Sequence, residues 1–205
     1  MSNPSLSTPG RKYYNYFRKR FSQYGDDVRA LWGSTASQEV RFRVLTEIGP
    51  LQGARILDVG CGFGGFYLFL QKEGTRVGSY TGVDIVPDML EVARQRLPVS
   101  ATLLQADFMK EEIPGSFDWV FASGIFFLPH TRWAEYVVSA LRKMYDSARL
   151  GVGANFLSAQ SRSKDNFSRY AKPGSVLDLA LREVTEKAVL RHDYRQNDFT
   201  LYLYR

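Results

Sequence analysis

Ile56-Leu57-Asp58-Val59-Gly60-Cys61-Gly62-Phe63-Gly64-Gly65 is the stretch on which the reading of this chain turns. Residues 55–59 form a short apolar run, the length of a buried strand, and Phe66 opens a helical pattern after the glycines. Glycine accepts positive φ and carries no side chain to hold a ligand off. A strand–glycine turn–helix unit therefore presents main-chain N–H groups to a ligand at a helix N-terminus. In open α/β sheets ligands bind beyond the carboxyl ends of the strands. Gly60, Gly62 and Gly65 also satisfy the G-x-G-x-x-G spacing of dinucleotide sites, so this stretch alone leaves the nucleotide open.

Outward from the loop, strands and helices alternate. Strands are predicted at 80–85, 102–106, 117–123 and 149–157, with helices at 66–70, 87–97, 133–145 and 176–184. Pro87 suits a first helical turn. Residues 188–194 and 198–204 flank a turn at Gln196-Asn197 and predict an antiparallel hairpin. The expected fold is a three-layer αβα sandwich whose mostly parallel seven-stranded sheet ends in an antiparallel C-terminal strand. Before it, Tyr13, Phe17, Phe21 and Tyr24 lay an aromatic stripe along a helix, and Gly25-Asp26-Asp27 breaks it. A second helix is expected over 38–48, with Val40, Val44, Leu45 and Ile48 inward. Residues 1–52 thus read as an N-terminal helical cap, residues 53–205 as the α/β domain, and polar residues 158–174 as a loop or flap.

Composition narrows the class. With 205 residues, 44% hydrophobic and 23% charged, the chain can bury one sizeable core, which excludes fibrous and wholly disordered proteins. Residues 1–10 are polar and turn-forming, so they are expected to be disordered, and they lack the features of a secretory signal. The apolar run over 56–70 is too broken by Asp58 and glycines to span a bilayer, so no membrane partner is expected. Cys61 is the only cysteine, which excludes an internal disulfide and a cysteine zinc site and makes a reducing cytoplasm the default location. Net charge is +6, and residues 1–55 hold nine Lys or Arg against four Asp or Glu. That bias suits nucleic acid, an anionic substrate or a membrane surface, or else a solvated helical face.

Three acids bear on the ligand. Asp58 precedes Gly60 by two residues, Asp84 closes the second strand, and Asp107 follows the third, so all three fall on the ligand-binding edge. A carboxylate at Asp58 is badly placed beside a pyrophosphate and well placed beside a cationic amino group. Asp84 suits a ribose hydroxyl in either reading. A zwitterionic nucleoside bearing a sulfonium suits this edge better than a dinucleotide.

LDVGCGFGG, followed by TGVDIVPDML, QADF and FDWVFASG, resembles the class I S-adenosylmethionine-dependent methyltransferases, in particular the bacterial small-molecule type. The resemblance covers residues 53 to 205 and implies S-adenosylmethionine as cofactor. It implies that Asp58 and the loop Gly60, Cys61, Gly62 and Gly64 hold the methionine end. Asp84 would bridge the ribose hydroxyls, with Ile85 packed on adenine. Asp107 would accept from the adenine amino group, with the Phe108 amide at the ring. Ser123 and Gly124 would line the edge where cofactor and acceptor meet. Cys61 reads as a small buried residue rather than a nucleophile.

The sulfonium activates the methyl group, so the protein's main task is to align an acceptor for in-line displacement, releasing S-adenosylhomocysteine. No metal is needed. If a general base is used, His130 and His192 are the candidates, each with a structural role as the alternative. Trp32 and Arg41 of the cap could close over the methionine carboxylate, Arg41 otherwise lying in solvent. A small-molecule acceptor, aromatic or anionic, methylated on N or O, is the favoured partner. RNA is less favoured, because the fourth strand ends in Ala122-Ser123-Gly124-Ile125 rather than Asn/Asp-Pro-Pro-aromatic. A protein acceptor, an NAD-binding oxidoreductase and a non-catalytic scaffold remain the alternatives.

Overall fold

The computed structural model describes residues 6–31 and 33–205. Helix α1 (Thr8–Tyr24) leads through a short 3-10 turn (Val28–Ala30) to α2 (Thr35–Thr46). The α/β body follows as β1 (Arg55–Val59), α3 (Gly65–Lys72), β2 (Ser79–Asp84), α4 (Pro87–Arg96), β3 (Thr102–Gln105) and β4 (Phe117–Ala122). It closes with α5 (Trp133–Ser147), β5 (Ala148–Leu157), α6 (Pro173–Glu183), β6 (Ala188–Arg191) and β7 (Asp198–Tyr204). The seven strands run in the order β3-β2-β1-β4-β5-β7-β6. Pairs among β1 to β5 are parallel, and β7 lies antiparallel to both β5 and β6.

The alternation of side chains along β1 builds the layers. Ile56 packs with Phe42 and Leu45 of α2 and Phe66 and Phe69 of α3 on one face. Leu57 and Val59 pack with Val137, Leu141 and Met144 of α5 on the other. Buried on both faces, these strands need the near-continuous apolar runs the sequence shows. Asp58 stands opposite Gly82 of β2 and Phe121 of β4. The direction of strand order reverses at β1, between β2 and β4, and there a crevice opens beyond the strand ends.

The cap differs from its expectation in three respects. Order begins earlier than residue 10: Leu6 is buried, Ser7 caps α1 by accepting the Gly10 amide, and Thr8 starts the helix. The expected disorder at 1–5 lies outside the described residues. Helix α2 starts at Thr35 rather than 38, with the Ser34 hydroxyl accepting the Ser37 amide. It is also turned: Arg41 and Phe42 are buried while Val40 is exposed. A buried ion pair, described below, draws Arg41 inward and carries Val40 out. Along the flap, Ser158 bridges Ala171, and the Arg169 amide donates to the Phe127 carbonyl, so this segment is stitched to the body. No helix among the described residues is long and apolar enough to cross a membrane.

Candidate active site

The glycine turn takes its shape from β2. The amides of Gly60 and Cys61 both donate to the Val83 carbonyl, at 2.8 and 3.1 Å, and the Gly62 amide donates to Asp84 Oδ2 at 2.9 Å. Gly60 and Gly62 have φ of 77° and 53°, values that side-chain-bearing residues rarely adopt. A Cβ on Gly62 would come within 3.0 Å of Leu31, so the chain between α1 and α2 lies directly over the loop. Gly64 serves differently. It caps α3 and faces Leu97, outside the cavity lining.

Asp58, Asp84 and Asp107 are 3%, 9% and 4% exposed and line one cavity of about 280 Å³. Asp58 Oδ2 accepts the Tyr80 hydroxyl at 2.6 Å. Burial pushes the Asp58 carboxyl up to about 7, the Tyr80 hydrogen bond pulls the other way, and the nearby Asp84 charge pushes further up. Asp84 is raised by burial and lowered by the main-chain amides of Val86 and Gly62 that donate to it. Asp107 accepts the Met109 amide on Oδ1 at 3.0 Å and the Ser7 amide on Oδ2 at 2.6 Å. Three buried acids in one cavity, beside a turn that only glycines can form, suit a ligand that brings positive charge and hydroxyl groups. The donor set fits S-adenosylmethionine.

Ile85, Phe108, Ser123 and Gly124 also line this cavity. The last two are held by a residue that sequence reasoning missed. Asn155 of β5 donates from Nδ2 to Ser123 Oγ at 3.0 Å and accepts the Gly124 amide on Oδ1 at 3.1 Å. Cys61 lines the cavity too, fully enclosed, and burial raises its thiol well above the ordinary value; a small enclosed side chain fits that position.

Arg41 reaches the cavity, but its guanidinium points at Asp198. Nε and Nη2 donate to Asp198 Oδ1 at 3.0 and 2.7 Å, and Nη1 donates to the Ser37 carbonyl and hydroxyl. The solvent-exposed alternative is therefore wrong, because the start of β7 brings a buried carboxylate to it. Trp32 lies outside the described residues. His130 and His192 are both absent from the cavity lining. His130 Nδ1 accepts the Arg132 amide and its ring packs near Tyr136; His192 sits edge-on to Phe199. The structure thus brings neither imidazole into the cavity lining, although His130 packs against Tyr136, which does line it.

The cavity also carries an aromatic cluster. Tyr13, Tyr16 and Phe17 of α1 meet Phe127 at ring distances of 6.1, 5.4 and 6.0 Å, and Tyr136 of α5 lies 6.3 Å from Tyr13. All five line the cavity, with Arg20 beside them. The stripe of aromatics on α1 signals Tyr13 and Phe17, whereas Tyr16 falls off that spacing. Phe21 instead packs on Phe63.

A family model described as a methyltransferase domain matches residues 56–151. A methyltransferase of Mycobacterium tuberculosis is similar at 31% identity over 168 residues, which is 78% of this chain and 96% of that protein. Ubiquinone biosynthesis O-methyltransferase of Xylella fastidiosa is similar at 31% identity over 39% of this chain, a stretch that spans only 34% of the relative. Among solved structures, magnesium protoporphyrin IX methyltransferase from Synechocystis PCC 6803, with bound SAM, aligns with a TM-score of 0.69 at 18% identity, over 99% of this chain and 100% of that one. At that identity the likeness is one of fold.

Proposed function

The chain belongs to the class I S-adenosylmethionine-dependent methyltransferases, and from that premise we propose that its acceptor is a small molecule with a flat, aromatic or anionic body, methylated on nitrogen or oxygen. The observation that carries this reading is the aromatic cluster of Tyr13, Tyr16, Phe17, Phe127 and Tyr136 that lines the same cavity as the three acids. Rings favour offset or edge-to-face contacts with other rings, and Arg20 adds a cation for an anionic group. The name of the Xylella fastidiosa relative, an O-methyltransferase of ubiquinone biosynthesis, agrees with a small-molecule acceptor.

The bound cofactor supplies a methyl group already activated by a sulfonium, so the chain's residues bind, align and shield. The Gly60–Gly62 turn gives the methionine end a close main-chain approach, and Asp58 pairs with its amino group. Asp84, held by the Gly62 and Val86 amides, takes the ribose hydroxyls; Asp107 takes the adenine amino group, with Ile85 and Phe108 against the ring. Asn155 sets Ser123 and Gly124 at the transfer edge. Residues 1–52 act as the cap of a catalytic domain formed by 53–205, and the roof of α1 excludes water while the acceptor lies in line with the methyl group. The carboxylates of the lining are already hydrogen-bonded or paired and no histidine stands among the described lining residues, so an acceptor that loses its proton readily suits the site.

The test is transfer of labelled methyl from S-adenosylmethionine into a catechol, a hydroxybenzoate and a planar nitrogen heterocycle, run beside mixed RNA and a peptide pool. Label in at least one of the small molecules and in neither polymer is the expected result. Label confined to RNA or peptide overturns the reading.

A further inference from the structure

Helix α1 touches the nucleoside side of the cavity through its first turn, and it does so at the acid that the proposed function gives to the adenine amino group. The Ser7 main-chain N–H donates to Asp107 Oδ2 at 2.6 Å, across 100 positions of sequence. The contact is charge-assisted, and the positive end of the 17-residue α1 dipole faces the same carboxylate. Gly10 makes this approach possible: a Cβ there would lie 2.5 Å from Asp107 Oδ2 and 2.8 Å from Ile85 Cδ1. A larger side chain there must displace the side-chain ends of Asp107, Ile85 and Ser7 or lift the turn. Further along, the Leu128 amide donates to the Tyr13 hydroxyl at 3.3 Å, and Lys12 Nζ donates to the Pro129 carbonyl. Helix α1 is thereby moored at both sides of the cavity, at the end of β3 and in the loop after β4.

The volume beneath it is small. About 280 Å³ stands at the bottom of the range, about 300–1,000 Å³, over which single small ligands are bound. Asp107 is 4% exposed and both its carboxylate oxygens are taken by main-chain amides, one of them from the first turn of α1, so a base exchanging at this acid meets that turn.

We propose that Ser7 and Gly10 are positioning residues of the adenine edge, and that the first turn of α1 is a latch on Asp107 that must release for the cofactor to exchange. This rests on the assignment of Asp107 to adenine. The latch fixes one carboxylate oxygen from the roof while Met109 fixes the other from the floor, so release and closure are read out at the residue that recognises the base.

Ser7 offers a clean dissection. Its φ of −61° is the value proline imposes, so Ser7→Pro removes the amide donor without opposing the backbone. Ser7→Ala removes only the hydroxyl cap on Gly10 and keeps the amide. Stopped-flow binding of S-adenosylhomocysteine, followed by intrinsic fluorescence, should give association and dissociation rates roughly tenfold higher for Ser7→Pro than for Ser7→Ala, the equivalent of about 1.4 kcal/mol of latch. Gly10→Ala crowds the same contact from the helix side, against Asp107 Oδ2, Ile85 Cδ1 and Ser7 Oγ, and should raise both rates. Rates for Ser7→Pro equal to those of Ser7→Ala, or unchanged in Gly10→Ala if the proline variant fails to fold, overturn the latch. Asp107→Asn separates the two readings: affinity for S-adenosylhomocysteine equal to wild type removes the adenine assignment itself, whereas weakened affinity with unaltered rates in the α1 variants removes the latch alone.

Discussion

Replacing Asp58 by asparagine should stabilise the ligand-free protein near neutral pH while weakening cofactor binding. Asp58 is 3% exposed, and among the described residues it accepts the Tyr80 hydroxyl and appears in no ion pair. Its carboxyl is raised from 3.8 to about 7, chiefly by burial. A carboxyl raised in the folded state binds more protons there than in the unfolded chain between those two values. Stability therefore falls as pH rises from about 4 to about 7 and is flat above. About three pH units at about 1.4 kcal/mol each make this roughly 4 kcal/mol in total. Asparagine is neutral throughout, keeps an oxygen for the Tyr80 hydroxyl, and has no such slope. Urea unfolding of both proteins should thus show the variant gaining on the wild type by roughly 3 kcal/mol between about pH 5 and about pH 8. The same charge that costs stability is what a cationic amino group would relieve. Affinity of the wild type for S-adenosylhomocysteine should accordingly rise with pH through about 7, and that rise should vanish in the variant. Parallel stability curves for the two proteins, or a variant that binds S-adenosylhomocysteine as tightly as wild type, would refute the reasoning.

The other site residues make further demands. Asp84→Asn should lower affinity for S-adenosylhomocysteine at least tenfold in calorimetry, with about 1–3 kcal/mol lost in unfolding, because Oδ2 accepts the Gly62 amide and Oδ1 the Val86 amide, and one of the two becomes a donor. Arg41→Met leaves the buried Asp198 with only the longer 3.6 Å contact of Arg195 and should cost up to about 3 kcal/mol in urea unfolding; adding Asp198→Asn should restore much of that loss. Gly60→Ala, at φ 77° and against Ile125, should cost about 1–2 kcal/mol in stability and abolish measurable cofactor binding. His130→Gln and His192→Gln should each leave kcat for a validated acceptor within about twofold of wild type, since neither ring lines the cavity; a loss of a hundredfold or more, as expected on removing a general base, would restore that role.

What the amino-acid sequence determined by itself is the part of the design that short-range chemistry controls. Strand length, helix period and glycine turns are written over five to fifteen residues, so β1 to β5 emerge within a residue or two of their predicted bounds, and Asp58, Asp84 and Asp107 follow as acids at successive strand ends. What only the tertiary structure decided is whatever depends on partners far along the chain. Placing β7 between β5 and β6 delivers Asp198 to Arg41, 157 positions away, and turns a surface-seeming arginine into a buried one. The same long-range packing lays α1 across the cavity, so that Tyr16 and the amide of Ser7 join a site to which no local pattern assigned them, while His130 and His192 stay outside its lining. Periodicity says which face of an element is apolar; the direction in which that face meets the rest of the molecule is settled by burial and pairing summed over the whole fold.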